Sequence, residues 1–164
     1  MSLVRLARGI DASLTLVCAS AKWLVLPLVA LLFLQWPLRE IIQAYSRQAN
    51  DLGQIFFALY IAVAVTAATR RGAHLAADML ARGYTEHTRR RLAKLGAALA
   101  LLPWSVFVLV SGRNLAFLSL KDLEAFPDTF NPGYFLVKSA MWLLALLVFL
   151  DAILTLLPLR RHRA

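Results

Sequence analysis

Hydrophobic residues fall along this chain in four long runs. The first covers roughly residues 23–42 and contains Trp23-Leu24-Val25-Leu26-Pro27-Leu28-Val29-Ala30-Leu31-Leu32-Phe33-Leu34, and the others cover about 52–69, 95–118 and 133–157. Each reaches the ~17–25 mainly apolar residues with which an α-helix crosses a bilayer. The pattern predicts an all-α integral membrane protein with four transmembrane helices. Ahead of the first run, residues 1–21 mix Arg5 and Arg8 with Leu, Val and Ala. They predict a short helix along the membrane interface that leads into the first span. Arg5 and Arg8 followed by an apolar patch ending Ala19-Ser20-Ala21 also have the outline of a signal peptide. Asp11 interrupts that patch and a longer apolar run follows at once, so an uncleaved start is the expectation.

The polar stretches carry the helix punctuation. Asn50 or Asp51 suits the cap of the second helix, where an acid meets the positive end of the dipole. Thr85 with Glu86 predicts the start of the third helix, which then passes through basic turns before its apolar part. Pro103, inside that helix, removes the hydrogen bond to the Leu99 carbonyl and predicts a kink. Pro27 and Pro37 predict modest bends in the first. Asn131-Pro132 forms a cap and first-turn pair for the fourth helix. In the second, Ala58, Ala62, Thr66 and Thr69 recur at helical spacing, and small residues so placed let another helix approach closely.

Charge orients the chain. Of its 18 Lys and Arg, thirteen belong with the N-terminal stretch, the loop 70–94 and the C-terminal tail: Arg5, Arg8, Lys22, Arg70, Arg71, Arg82, Arg89, Arg90, Arg91, Lys94, Arg160, Arg161 and Arg163. Closely spaced cations stay on the cytoplasmic side, so both termini and the central loop are expected there. The loops 43–51 and 119–132 then face the periplasm. Among 164 residues 60% are hydrophobic and 16% charged, against about 25% charged in soluble domains. The length suits one membrane domain, 1–164. The net charge of +9 collects at the ends of apolar runs, where topology and phospholipid headgroups account for it, so no nucleic acid is expected. Cys18 is the only cysteine, which excludes an internal disulfide.

Candidate chemistry is sparse. A membrane haem protein needs histidines inside facing spans, and His74, His87 and His162 all fall in basic cytoplasmic stretches. No cofactor, metal site or enzymatic machinery is expected. His74 and Asp78, four apart, suit a structural clasp on a helix. Ionisable groups within spans are the usual functional candidates, and two occur, Lys138 and Asp151. Lys138 lies within reach of the outer headgroups. Asp151 lies toward the cytoplasmic end, where Lys22 (or Arg160 or Arg161) is the expected partner of a structural ion pair.

One set of residues points to a family. Gln35-x-x-x-Arg39 closes the first span, Asp51 opens the second, and Arg71-Gly72-Ala73-His74-Leu75-x-x-Asp78-x-Leu80 follows it. With the length, the four spans and the cytoplasmic termini, this resembles the small membrane subunit of tripartite ATP-independent periplasmic (TRAP) transporters, the DctQ-like family. Two departures stand out: Asp51 where the family usually has Glu, and the small pair Ala76-Ala77 where it has a bulkier residue. The resemblance implies a bacterial inner-membrane protein without a substrate site, bracing a large multi-span subunit that moves an organic acid with sodium. It also implies contact with a periplasmic substrate-binding protein. Arg39, Asp51, Arg71, Gly72, His74 and Asp78 would then fix helix ends and loops. Two other readings fit the same hydropathy, a small self-sufficient four-helix transporter and a membrane electron carrier.

Overall fold

The computed structural model describes residues 2–41, 47–71 and 83–157. It contains four helices, α1 (Ser2–Glu40), α2 (Arg47–Arg71), α3 (Glu86–Lys121) and α4 (Tyr134–Leu156). All four are long and apolar enough to cross a membrane, and there is no strand among the described residues. At 1.5 Å per residue α2 and α4 are about 35–37 Å long, while α1 and α3 exceed about 50 Å.

The interfacial helix expected over residues 1–21 is not separate from the first span: α1 runs unbroken from Ser2 to Glu40, with Pro27 and Pro37 inside it. Its buried residues explain the continuity. Ala7, Leu14, Cys18, Ala21 and Leu28 are buried at steps of three, four and seven. That spacing keeps one stripe of the helix facing its neighbours on both sides of the expected break. Ala7, Leu14 and Ala21 join Val63 of α2 and Leu147 and Leu154 of α4 in one apolar cluster.

Packing follows the order α1, α2, α4, α3, with α2 and α4 as the inner pair. Small residues make that position possible. Ala62, Thr66 and Ala67 on α2 and Ala140, Ala145 and Ala152 on α4 are all buried, and short side chains allow the backbones to come close.

Helix α3 begins where its sequence predicts. The Thr85 hydroxyl accepts the Thr88 N–H at 3.3 Å, and Glu86 pairs with Arg90 one turn on. The irregularity expected from Pro103 takes the form of a π-helical turn over Ala97–Leu101, with the Leu102 N–H donating to the Ala97 carbonyl. A widened turn just before the proline accommodates its ring and its missing donor.

The start expected at Asn131-Pro132 is displaced. Helix α4 opens at Tyr134 with Gly133 as its N-cap at φ 132°. Only glycine adopts that backbone conformation freely. A Cβ there would also stand 2.9 Å from Cδ1 of Ile55. Pro132 instead bridges back to Ala125, and the Asn131 side chain is engaged elsewhere.

Candidate functional site

Polar side chains gather at opposite ends of the bundle. At one end Arg70, in the last turn of α2, reaches both flanking helices. Its Nη1 donates to Oδ1 of Asp151 on α4 at 3.1 Å, and its Nη2 donates to Oδ1 of Asp11 on α1 at 2.6 Å and to the Thr15 hydroxyl at 3.1 Å. Thr15 donates in turn to the Asp11 carbonyl at 2.7 Å. The Arg70 and Asp151 side chains are 12% and 3% exposed, whereas Asp11 is 48% exposed. A planar guanidinium with donors on two nitrogens can serve two helices at once, which a lysine ammonium does less well.

Asp151 therefore pairs with Arg70 and not with Lys22, while Arg160 and Arg161, the other expected partners, lie outside the described residues. Lys22 is exposed, with its Nζ 5.4 Å from the centroid of the Trp23 ring. The reason lies in the rotation of α1: the stripe facing the bundle runs through Cys18, Ala21 and Leu28, which turns Lys22 outward.

At the other end the segment 122–133, between α3 and α4, is tied to three helices. Asp51 lies in the second turn of α2 rather than at its cap, and it is buried. Its Oδ2 accepts from the Thr129 hydroxyl at 2.6 Å and the Asn131 amide at 2.9 Å. Glu124 accepts from the Ser119 hydroxyl of α3 at 2.6 Å and from the Lys138 ammonium of α4 at 2.7 and 2.6 Å. The bonds from Lys138, and next that from Ser119, hold the Glu124 carboxyl below its ordinary range. Within the segment the Phe126 N–H donates to the Asn131 carbonyl and the Phe130 N–H to the Phe126 carbonyl, both at 2.8 Å. Phe126 is buried with its ring centroid 5.3 Å from that of Tyr134. A polar cleft of about 580 Å³ opens beside it, lined by Arg47, Asp51, Gln54, Asp128, Thr129 and Tyr134 among others.

Of the residues singled out by sequence, Asp51 and Asp151 each enter one of these clusters. Arg71 ends α2 and is exposed, and Arg39 lies in the last turn of α1 with its side chain outside the described set. Gly72, His74 and Asp78 lie outside the described residues. Sequence reasoning passed over Arg70 as one cation of a basic loop and Asp11 as a mere interruption. The signal for both was present: an acid four residues before a threonine on an apolar helix, and an arginine in the last helical turn rather than beyond it. Lys138, expected to reach headgroups, is instead held by Glu124. Among the described residues no group of three or more His, Cys, Asp or Glu side chains is placed to hold a metal.

Asp11, Arg70, Asp151, Asp51, Glu124 and Lys138 are each matched by a group on another element, and what the matching accomplishes is to fix helix ends. Fold and clusters together define a multi-pass helical membrane protein clamped at both ends. The chain matches the family model described as tripartite ATP-independent periplasmic transporters, DctQ component, over residues 28–162, and it belongs to that family. It is a TRAP transporter small subunit, a component whose family implies partnership with a large membrane subunit and a binding protein. No curated protein and no solved structure matches it.

Proposed function

We propose that this chain is the stationary, non-catalytic brace of a sodium-coupled TRAP transporter for organic acids in the bacterial inner membrane. It holds the large subunit in place while that subunit moves the substrate, and it helps dock the periplasmic binding protein. The observation that carries this reading is the pair of clasps. Arg70 ties α1, α2 and α4 at one end, and Asp51 with Glu124 ties α2, α3 and α4 through the 122–133 segment at the other. A body fixed at both ends suits a support better than a moving element. In this reading both termini and the loop 70–94 are cytoplasmic, following the basic residues. The 122–133 segment and its cleft face the periplasm, where the binding protein arrives, and phospholipid covers the remaining apolar surface. Arg39, Arg71, Gly72, His74 and Asp78 act as structural residues at helix ends and in the central loop.

The test is affinity purification of the tagged chain from native membranes. A stoichiometric, much larger hydrophobic polypeptide is expected to accompany it. His74→Ala or Asp78→Ala is expected to reduce that recovery, or the rate of uptake, with the same organic acid carried. An altered substrate range would contradict the assignment.

A further inference from the structure

Lys22, grouped by its charge with the cytoplasmic cations, instead lies well inside the unbroken helix α1. Asp11 on α1 and Asp151 on α4 both bond the Arg70 guanidinium of α2 and so mark one level, near one end of the bundle. Lys22 is eleven residues further along α1, about 16 Å at the helical rise. That distance is close to half the length of α2 or α4. Ala21, its neighbour in sequence, is buried in the apolar cluster that α1 shares with α2 and α4 and that runs from Ala7 through Val63 and Leu147 to Leu154.

At that depth the ammonium faces away from the bundle. Lys22 shares its side of α1 with Leu26, Val29 and Phe33, at steps of four, three and four, all more than half exposed. Trp23 beside it is 65% exposed. Among the described residues no carboxylate lies within ion-pair distance of Lys22, and the chain has no Asp or Glu from Ala12 to Arg39. A four-carbon stem is far shorter than the ~15 Å half-thickness of the hydrocarbon core, so snorkelling does not bring the charge to water. Acyl chains offer no acceptor, the Trp23 ring 5.4 Å from Nζ supplies a cation–π contact but no counter-charge, and ionisable side chains at such depth pair with another group or face a polar cavity.

We infer that the Lys22 face of α1 is seated against the large membrane subunit, which supplies an Asp or Glu carboxylate within the membrane to pair with Lys22. This rests on the reading of the chain as a TRAP small subunit. A second copy of this chain fits the face poorly. A two-fold contact through it would oppose Lys22 to Lys22, with no acid on the same stretch of helix to separate them. Lys22 and Trp23 also precede the segment matched by the family model, so the contact belongs to this chain's own α1 and not to the matched pattern.

The experiment uses the complete complex in native membranes. A photo-crosslinking phenylalanine derivative replaces Leu26, and separately the variants Lys22→Met and Lys22→Arg are prepared. Crosslinking at position 26 is expected to capture the large subunit. Lys22→Met should lower its recovery at least ten-fold, because the partner's carboxylate loses its counter-charge, while Lys22→Arg should retain it. Methionine adds no polar group to the span, so the variant's own membrane level serves as the control for folding. Capture of lipid only, capture of a second copy, or full recovery with Lys22→Met each overturns the inference. A wild-type chain that retains no large subunit at all overturns the subunit reading itself, and the two failures are thereby distinguished.

Discussion

Arg70 bonds side chains of two other helices at once. Its guanidinium is largely buried and bonded to two carboxylates and a hydroxyl. Removing one member of a buried pair leaves an uncompensated charge, typically at a cost of about 3–5 kcal/mol, whereas replacing both members by apolar groups is often close to neutral. Arg70→Met should therefore destabilise the purified protein by roughly that amount in a detergent unfolding assay. The double variant Arg70→Met/Asp151→Leu should recover much of the loss, and Asp11→Asn should cost less because Asp11 is half exposed. Equal destabilisation by the single and double variants would show that the pair is not energetically coupled. That Asp151 requires a cation was legible from its place in an apolar run. Which cation was not, because the two residues lie 81 positions apart and the choice depends on how each helix is rotated.

At the scale of elements, the 122–133 segment ties α2, α3 and α4 together and is not a loose connection. Leu123 and Phe130 adopt positive φ values of 46° and 56°, and Gly133 one of 132°. Phe130 lies between Thr129 and Asn131, the two residues that donate to Asp51, and Leu123 directly precedes Glu124. The Glu124 contact has a defined pH signature. Its carboxyl is held below the ordinary value of 4.5, chiefly by Lys138. A depressed carboxyl stabilises the folded state above its unfolded pKa, and the contribution is lost as pH falls through the lowered folded value. Glu124→Gln should consequently lower the unfolding midpoint at pH 7. The gap from wild type should begin to close only below about pH 4.5. A gap that closed between pH 6 and 8 would point to another group. The element-scale signals that succeeded were local ones: Thr85 capping α3 and Pro103 disturbing it. Those that failed depended on distant partners. Asn131 reads as a helix cap until Asp51 is placed beside it, and the interfacial helix reads as separate until the buried stripe of α1 is seen to continue through it.

For the whole molecule, the number of spans, the helical class and the family pattern could be read from the sequence. The order α1, α2, α4, α3 could not, because an apolar face that meets lipid and one that meets protein have the same composition. The same ambiguity hid the outward turn of Lys22. What the assembled chain presents is a set of helices tied at both ends, which suits the proposed division of transport to the large subunit and support to this one. Proteoliposomes carrying an inward sodium gradient test that division most directly, with radiolabelled organic acid and saturating binding protein supplied outside. Vesicles holding this chain with its large subunit should accumulate the acid, and vesicles holding this chain alone should stay at the level of empty ones. Sodium-dependent accumulation by this chain alone would contradict the account.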